Sequence, residues 1–271
     1  MKHWFLSDIH LTDINERNGN YLLRFFYFVN KNPLQHTIYF LGDIFDFWLS
    51  DGKAFQNHYK ALIDQIKIFK SNGGVMYYFE GNHDFHIDRF WTEYLNIPVI
   101  EDGETFDINN LKLRLEHGDF INPDDYKYLN YRSKVRQPWV EWLAHALPGF
   151  FWKWLGEGLS QKSRKKTSQY AKNNYQSIKE IIRRFSSILI EKNHYNIVIT
   201  GHMHVFDIFN LEDKKEIDVR SKLSLDGYFK MSLTENSKFS INLGTWLDLP
   251  YAVCIENHFL QVFNLQKNNI I

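Results

Sequence analysis

The residues able to do chemistry fall into five short stretches: Asp8-Ile9-His10, Gly42-Asp43-Ile44-Phe45-Asp46, Gly81-Asn82-His83-Asp84, His117-Gly118-Asp119 and Gly201-His202-Met203-His204. Side chains i and i+2 of a strand point the same way. Asp8 and His10 can therefore hold one metal ion together, as can His202 and His204. The two oxygens of Asp43 can bridge a pair of ions. Asn82 adds a neutral amide oxygen and His117 an imidazole. The set contains no thiolate, and mixed nitrogen and oxygen donors suit Mn²⁺, Fe²⁺ or Zn²⁺ better than Ca²⁺ or Cu⁺. Two such ions about 3.5–4 Å apart clamp a phosphate ester and supply a water-derived nucleophile near neutral pH. One isolated Asp-x-His is ordinarily a pair of satisfied structural residues. Five such clusters, each at a strand end, are hard to read that way.

The elements that must position these groups follow from the apolar pattern. Lys2 to Leu6, Thr37 to Leu41 and Val75 to Phe79 read as strands that end at the first three clusters. Helical patterns around Tyr21 to Val29 and from Ala54 to Phe69 lie between them, the second with Leu62, Ile63, Ile66 and Phe69 on one face. Strand, helix, strand, helix, strand implies a parallel sheet covered by helices. Ile97 to Ile100 reads as a short strand. A hairpin of Thr105 to Ile108 and Lys112 to Glu116 around Asn109-Asn110 delivers His117, and Tyr195 to Thr200 delivers His202. Between them, Phe120 to about Lys192 reads as a helical insertion. Five short runs from Phe206 onward read as antiparallel strands completing a second sheet.

The five motifs, in this order, resemble the calcineurin-like metallophosphoesterases, and the match spans nearly the whole chain. The resemblance implies an α/β fold of four layers, two mixed β-sheets face to face and flanked by helices. It implies one domain over residues 1–271 with a helical cap insertion at about 120–192. Position by position, Asp8, His10, Asp43 and His204 would bind one ion, and Asp43, Asn82, His117 and His202 the other. The ions are expected to be manganese, with iron or zinc as alternatives. Asp43, Asn82 and His83 are the expected catalytic residues; His83 matches a histidine that contacts the phosphate or protonates the leaving group. Asp46 and Asp84 either orient ligands or, for Asp84, cap a following helix.

The insertion must carry the substrate choice. Its first part, Phe120 to Leu159, holds four of the eight tryptophans, Trp139, Trp142, Trp152 and Trp154; its second, Ser160 to Arg184, has eight basic residues and one acidic one. An apolar segment joined to a basic one suits an amphiphilic anion, although a helical hairpin with a solvated basic face has the same composition. Asp124-Asp125-Tyr126, Tyr131-Arg132, Val135-Arg136-Gln137-Pro138-Trp139, Leu147-Pro148 and Ser160 to Lys166 resemble the UDP-2,3-diacylglucosamine diphosphatases of lipid A synthesis, as does Asp43-Ile44-Phe45-Asp46-Phe47-Trp48. The implied reaction gives UMP and 2,3-diacylglucosamine 1-phosphate. Implied substrate contacts are Asn82, Asp125, Ser163, Arg164, Thr167 and His202, with Lys165 and Lys166 as phosphate neighbours. One position departs: the proteobacterial branch carries Arg where this chain, like the wider superfamily, has His83.

Zero formal net charge and a pI near 7.2 give no support to a nucleic-acid binder. One cysteine excludes a disulfide scaffold and fits a reduced compartment. The N-terminus shows no signal-peptide pattern, and no run reaches the roughly 20 apolar residues of a membrane span. The expected location is cytoplasmic, peripheral to the inner membrane's cytoplasmic face, with a lipid-nucleotide substrate and no protein partner. Two other readings compete: a metallophosphoesterase acting on another nucleotide or phosphodiester, and a non-catalytic metal-binding scaffold.

Overall fold

The chain forms β1 (Lys2–Leu6), α1 (Arg17–Val29), β2 (His36–Leu41), β3 (Trp48–Leu49), α2 (Lys53–His58), α3 (Lys60–Ser71), β4 (Val75–Phe79), β5 (Asp84–Phe85), β6 (Val99–Ile100), β7 (Glu104–Ile108) and β8 (Leu111–Leu115). It continues through α4 (Tyr126–Val135), α5 (Pro138–Ala146), α6 (Tyr175–Asn193), β9 (Ile197–Thr200), β10 (Phe206–Asn210), β11 (Lys215–Glu216), α7 (Val219–Lys222), β12 (Tyr228–Ser232), β13 (Phe239–Leu243), β14 (Tyr251–Glu256) and β15 (Phe259–Asn264). The structure, a computed structural model, describes residues 1–49, 53–146 and 173–267.

Strands apolar on both faces need cover on both sides, and this sets the layering. In β2, Ile38 and Phe40 face one way, packing with Trp4 and Leu6 of β1 against Leu22, Phe25 and Phe26 of α1 and Leu62, Ile66 and Phe69 of α3. Tyr39 and Leu41 face the other way, meeting Leu113 and Leu115 of β8, Ile197 and Ile199 of β9, and Ile241 of β13. Outside the second sheet lies α6, through Ile178 and Ile182 and a hydrogen bond from Ser240 to Ser186. The order is thus helices, sheet, sheet, helix, the expected four layers. α6, which the sequence placed inside the insertion, supplies the outer layer.

The first sheet runs β12-β15-β14-β1-β2-β4-β6 and the second β11-β10-β13-β9-β8-β7. Parallel pairing of β1, β2 and β4 matches the alternation of strands and helices. The C-terminal strands depart from expectation. β14 pairs antiparallel with β1, so that β14, β15 and β12 extend the first sheet. Only β10, β11 and β13 join the second, and β13 pairs parallel with β9. Alternating apolar residues show that a strand has buried faces but do not name its neighbour.

The helical pattern from Ala54 to Phe69 divides at Tyr59, between α2 and α3. The Tyr59 ring is buried against Phe45 and Trp48, and its hydroxyl donates to the Leu11 carbonyl. Helical hydrogen bonds still run through this point, from the Tyr59 amide to Phe55 and from the Ile63 amide to Tyr59, so the expected helix is bent there and not ended.

Candidate metal centre

β1, β2, β4, β8 and β9 all end toward one rim, and the five motifs occupy the turns that leave them. Asp8, His10, Asp43, His202 and His204 all have left-handed backbones, with φ between 49° and 65°. Such conformations cost roughly 1–3 kcal/mol each and persist where the surroundings over-determine them, commonly at functional sites. Two glycines allow the turns to close. A Cβ on Gly42, whose φ is +78°, would come within 2.5 Å of His117 Nδ1, and one on Gly201 within 2.0 Å of Ser7 Oγ.

Asp8 is fully buried. Its Oδ2 accepts from Ser7 Oγ at 2.6 Å and from the His202 amide at 2.9 Å. Its Oδ1 lies 3.1 Å from His204 Nε2 and 4.0 Å from His10 Nε2. The two imidazole nitrogens themselves are 3.0 Å apart. Burial alone would raise the Asp8 pKa, but His204, His117 and Ser7 hold it below its ordinary value. Asp8, His10, Asp43 and His204 together direct donor atoms into one space.

The second half-site gathers around Asn82. Its Oδ1 lies 2.9 Å from His202 Nδ1 and 3.3 Å from His117 Nε2, and Asp43 Oδ2 lies 3.7 Å from His117 Nε2. His117 donates its Nδ1–H to the Leu41 carbonyl at 2.8 Å, which leaves Nε2 as a lone pair directed inward. Metal-binding imidazoles commonly have their other nitrogen fixed in this way. Burial would lower the His117 pKa, but Asp43, Asp119 and Asp8 overcome it and raise it to about 9. His202 is pushed down to about 4, by burial and then by His117. The carboxylates thus favour a cation in the space the histidines line.

Bonds of about 2.0–2.2 Å to a shared ion leave neighbouring donors roughly 3 Å apart. The separations in both half-sites fit that spacing, and the donor chemistry is that of Mn²⁺, Fe²⁺ or Zn²⁺. All seven residues expected as ligands lie at this rim: Asp8, His10, Asp43 and His204 form one group, His117 and His202 gather with Asp119, and Asn82 and Asp43 reach toward these two histidines.

His83 sits beside this cluster. Its Nδ1–H donates to the Asp46 carbonyl at 2.7 Å, and its ring meets His10 edge-on with centroids 5.0 Å apart. Nε2 is thereby the nitrogen left for proton transfer. Asp84 does not cap a helix. Buried in β5, it accepts from the amides of Asp43, Ile44 and Gly81 and from the Tyr78 hydroxyl, tying the Asp43 turn to the Asn82 turn. Burial, then the charge of Asp43, raises its pKa to about 7.

Other expected contacts lie elsewhere. Asp125 is the N-cap of α4, its carboxylate accepting from the Tyr128 amide at 3.0 Å. Ser163, Arg164, Lys165, Lys166, Thr167, Trp152 and Trp154 fall outside the described residues. The structure adds residues that the motifs did not single out. Thr245 and Trp246, after β13, hold the Asp8 carbonyl through Oγ1 and the amide. They follow Leu243-Gly244 at a strand end, the one placement signal they share with the motifs. Glu80, just before Gly81, pairs with buried Arg136.

A profile described as calcineurin-like phosphoesterase matches residues 1–206. The chain belongs to the calcineurin-like phosphoesterase family. It is a metal-dependent hydrolase by that membership. A protein from Vibrio atlanticus named UDP-2,3-diacylglucosamine hydrolase is 28% identical over 209 residues, 75% of this chain and 81% of that protein. One of the same name from Haemophilus influenzae is 31% identical over 209 residues, 75% of this chain and 84% of its own length. Among solved structures, a Vps29 double mutant from Entamoeba histolytica aligns with a TM-score of 0.41 and 13% identity, covering 94% of this chain and 86% of that one.

Proposed function

We propose that this phosphoesterase hydrolyses the pyrophosphate of UDP-2,3-diacylglucosamine to UMP and 2,3-diacylglucosamine 1-phosphate, using two divalent ions, manganese first among them. The observation that carries the reading is the cluster of Asp8, His10, Asp43 and His204 beside Asn82, His117 and His202, with Asp43 Oδ2 turned toward His117, in a chain whose relatives of about 30% identity bear that substrate in their names. When bound, such ions supply Lewis-acid clamping of phosphate oxygens and a nucleophile from water.

The chain's own residues do the rest. Asp8, His10, Asp43 and His204 hold one position; Asp43, Asn82, His117 and His202 hold the other. Asn82 and His202 border the phosphate. His83 Nε2 gives a proton to the oxygen that leaves as one P–O bond breaks and the bond from water forms. The Asp46 carbonyl keeps the ring in the orientation and tautomer for that transfer.

The part of the insertion that precedes α6 supplies the cap. Within its described part, Phe120, Tyr126, Tyr131, Trp139 and Trp142 are all exposed, the two tryptophans at 62% and 70%. They are not buried in the core, and an apolar surface of this kind suits acyl chains. No helix among the described residues is long and apolar enough to cross a membrane. We place the enzyme in the cytoplasm, peripheral to the inner membrane, meeting its substrate at the lipid interface.

The test is UMP release from UDP-2,3-diacylglucosamine by metal-reconstituted protein, beside a panel of soluble nucleotides and phosphodiesters. Release from the lipid nucleotide at least a hundredfold above every soluble ester supports the assignment. Equal or better turnover of a soluble ester would favour the broader phosphoesterase.

A further inference from the structure

Helix α4 carries Tyr128 and Arg132 four residues apart, with Arg136 four further on at its C-cap, so all three lie on one face. None of its ten residues is fully buried. Apolar packing alone does not seat it; a chain of polar contacts does, and each leads to the same half-site.

The Tyr128 hydroxyl donates to Asp119 Oδ1, and Arg132 Nε donates to Asp119 Oδ2 at 2.8 Å. Both oxygens of this buried carboxylate accept a hydrogen bond from α4, so Asp119, which also gathers with His117 and His202, anchors the helix two residues after His117. Arg132 Nη2 also reaches Asp102 at 2.8 Å. The Tyr128 ring packs on the His202 ring, centroids 4.8 Å apart and planes inclined by 42°. At the other end of α4, Arg136 pairs with buried Glu80 and reaches the Gly81 carbonyl at 3.4 Å, directly before Asn82. His86 Nε2 donates to the Val135 carbonyl at 2.9 Å. Asn82, His117 and His202 are thus each touched by this helix, or stand within two residues of a group that it holds.

The first half-site is fastened differently. Asp8 is held by Ser7, and its carbonyl by Thr245 and Trp246, none of them in the insertion.

We propose that Tyr128 and Arg132 are positioning residues that set the half-site of Asn82, His117 and His202 from helix α4, so that the seat of the insertion tunes affinity for one of the two ions. The inference rests on the two-ion reading given under Proposed function. Groups that orient metal ligands characteristically change metal affinity about 10–100-fold when removed. Charge-assisted hydrogen bonds of the Arg132–Asp119 kind are the stronger ones.

The experiment titrates metal-stripped protein with Mn²⁺ alone, by calorimetry. The unaltered chain is expected to bind two equivalents. Arg132→Gln, Tyr128→Phe and the double variant should bind one equivalent at unchanged affinity and the other about 10–100-fold more weakly. Arg132→Lys restores the charge without the planar fork and should recover only part of the loss. Lys134→Ala removes a charge from an exposed position of the same helix and should change neither equivalent. Tyr128→Phe keeps the ring and guards against a misfolded variant; its metal-free melting temperature should stay within a degree or two of the parent. Two unchanged equivalents in the double variant, or equal weakening of both, would overturn the inference and leave the two-ion reading intact. Fewer than two equivalents in the unaltered chain would overturn the two-ion reading and the inference with it.

Discussion

His10 Nε2 and His204 Nε2 face each other at 3.0 Å across 194 residues of sequence. Two neutral imidazoles can share one proton at that distance, but both can accept only from a cation placed between them. An ion held by both rings would join the turn after β1 to the turn after β9. Mn²⁺ at 100 times its Kd should stabilise the fold by about 2.7 kcal/mol per site. The expected result is a melting temperature that rises with Mn²⁺ and falls with a chelator. In His10→Ala and His204→Ala the share due to their own position, about half of the metal-dependent rise, should largely vanish, and the double variant should lose little more. A rise of the same size in either single variant would count against this pair as ligands.

Asp43 belongs to both half-sites, with Oδ1 accepting from the His83 amide at 2.9 Å and Oδ2 turned toward His117. Asp43→Ala should lower metal content at both positions and reduce turnover by several orders of magnitude. The fold should survive, because Asp84 still gathers the backbone amides of the turn. Metal analysis and circular dichroism check this; near-normal turnover with full metal content would refute the bridging role.

His83 holds its place through the Asp46 carbonyl and not through the expected ligand set. General acid–base help contributes about 10²–10⁴-fold. His83→Ala should lower kcat in that range with metal content unchanged. A less acidic hydroxyl needs more help in leaving, so substrates with poor leaving groups should suffer most. Loss of one ion would instead make His83 a ligand.

The site was more legible than the frame that holds it. Asp8, His10, Asp43, Asn82, His117, His202 and His204 were readable because ligand types recur just past strand ends, although left-handed turns and not the strand pleat aim five of them. Asp84 was readable as a member of its motif but not in its role, since the amides it gathers come from a turn 40 residues away. Tyr128, Arg132 and Arg136 lie in a helix with a polar composition, and nothing in their spacing names Asp119 or Glu80 as partners. The division of β10 to β15 between two sheets was hidden for the same reason: periodicity encodes burial, and partner choice is tertiary.

His36 gives the fold a pH dependence remote from the metal centre. It is buried at the start of β2, and its Nδ1 accepts from Trp4 Nε1 at 2.9 Å. Burial, then the charge of Lys2, lowers its pKa from 6.5 to about 4. Above pH 6.5 the ring is neutral in both folded and unfolded chains and contributes no pH dependence. Between 6.5 and 4 the unfolded chain takes up a proton that the folded chain refuses, so stability falls as pH falls. His36→Gln keeps an acceptor for Trp4 and removes the titration. The melting-temperature advantage of the parent over this variant should shrink from pH 7 to pH 4; a constant gap would contradict the assignment.

Trp139 and Trp142 stand exposed on α5, at the start of the insertion's aromatic segment. If they meet acyl chains or the lipid interface, they matter only for a substrate that has a lipid part. A small soluble phosphodiester needs the metal-binding side chains and nothing from α5. Replacing both with Ala should reduce hydrolysis of the lipid nucleotide at least tenfold, and binding to anionic vesicles with it. Hydrolysis of the soluble ester and the melting temperature should stay near those of the parent, because neither ring is buried in the core. Vesicle binding should also weaken with added salt, since each Lys or Arg near an anionic surface contributes about 1 kcal/mol that ions screen. A parallel fall in both activities and in melting temperature would make the tryptophans structural and remove the lipid-facing role of α5.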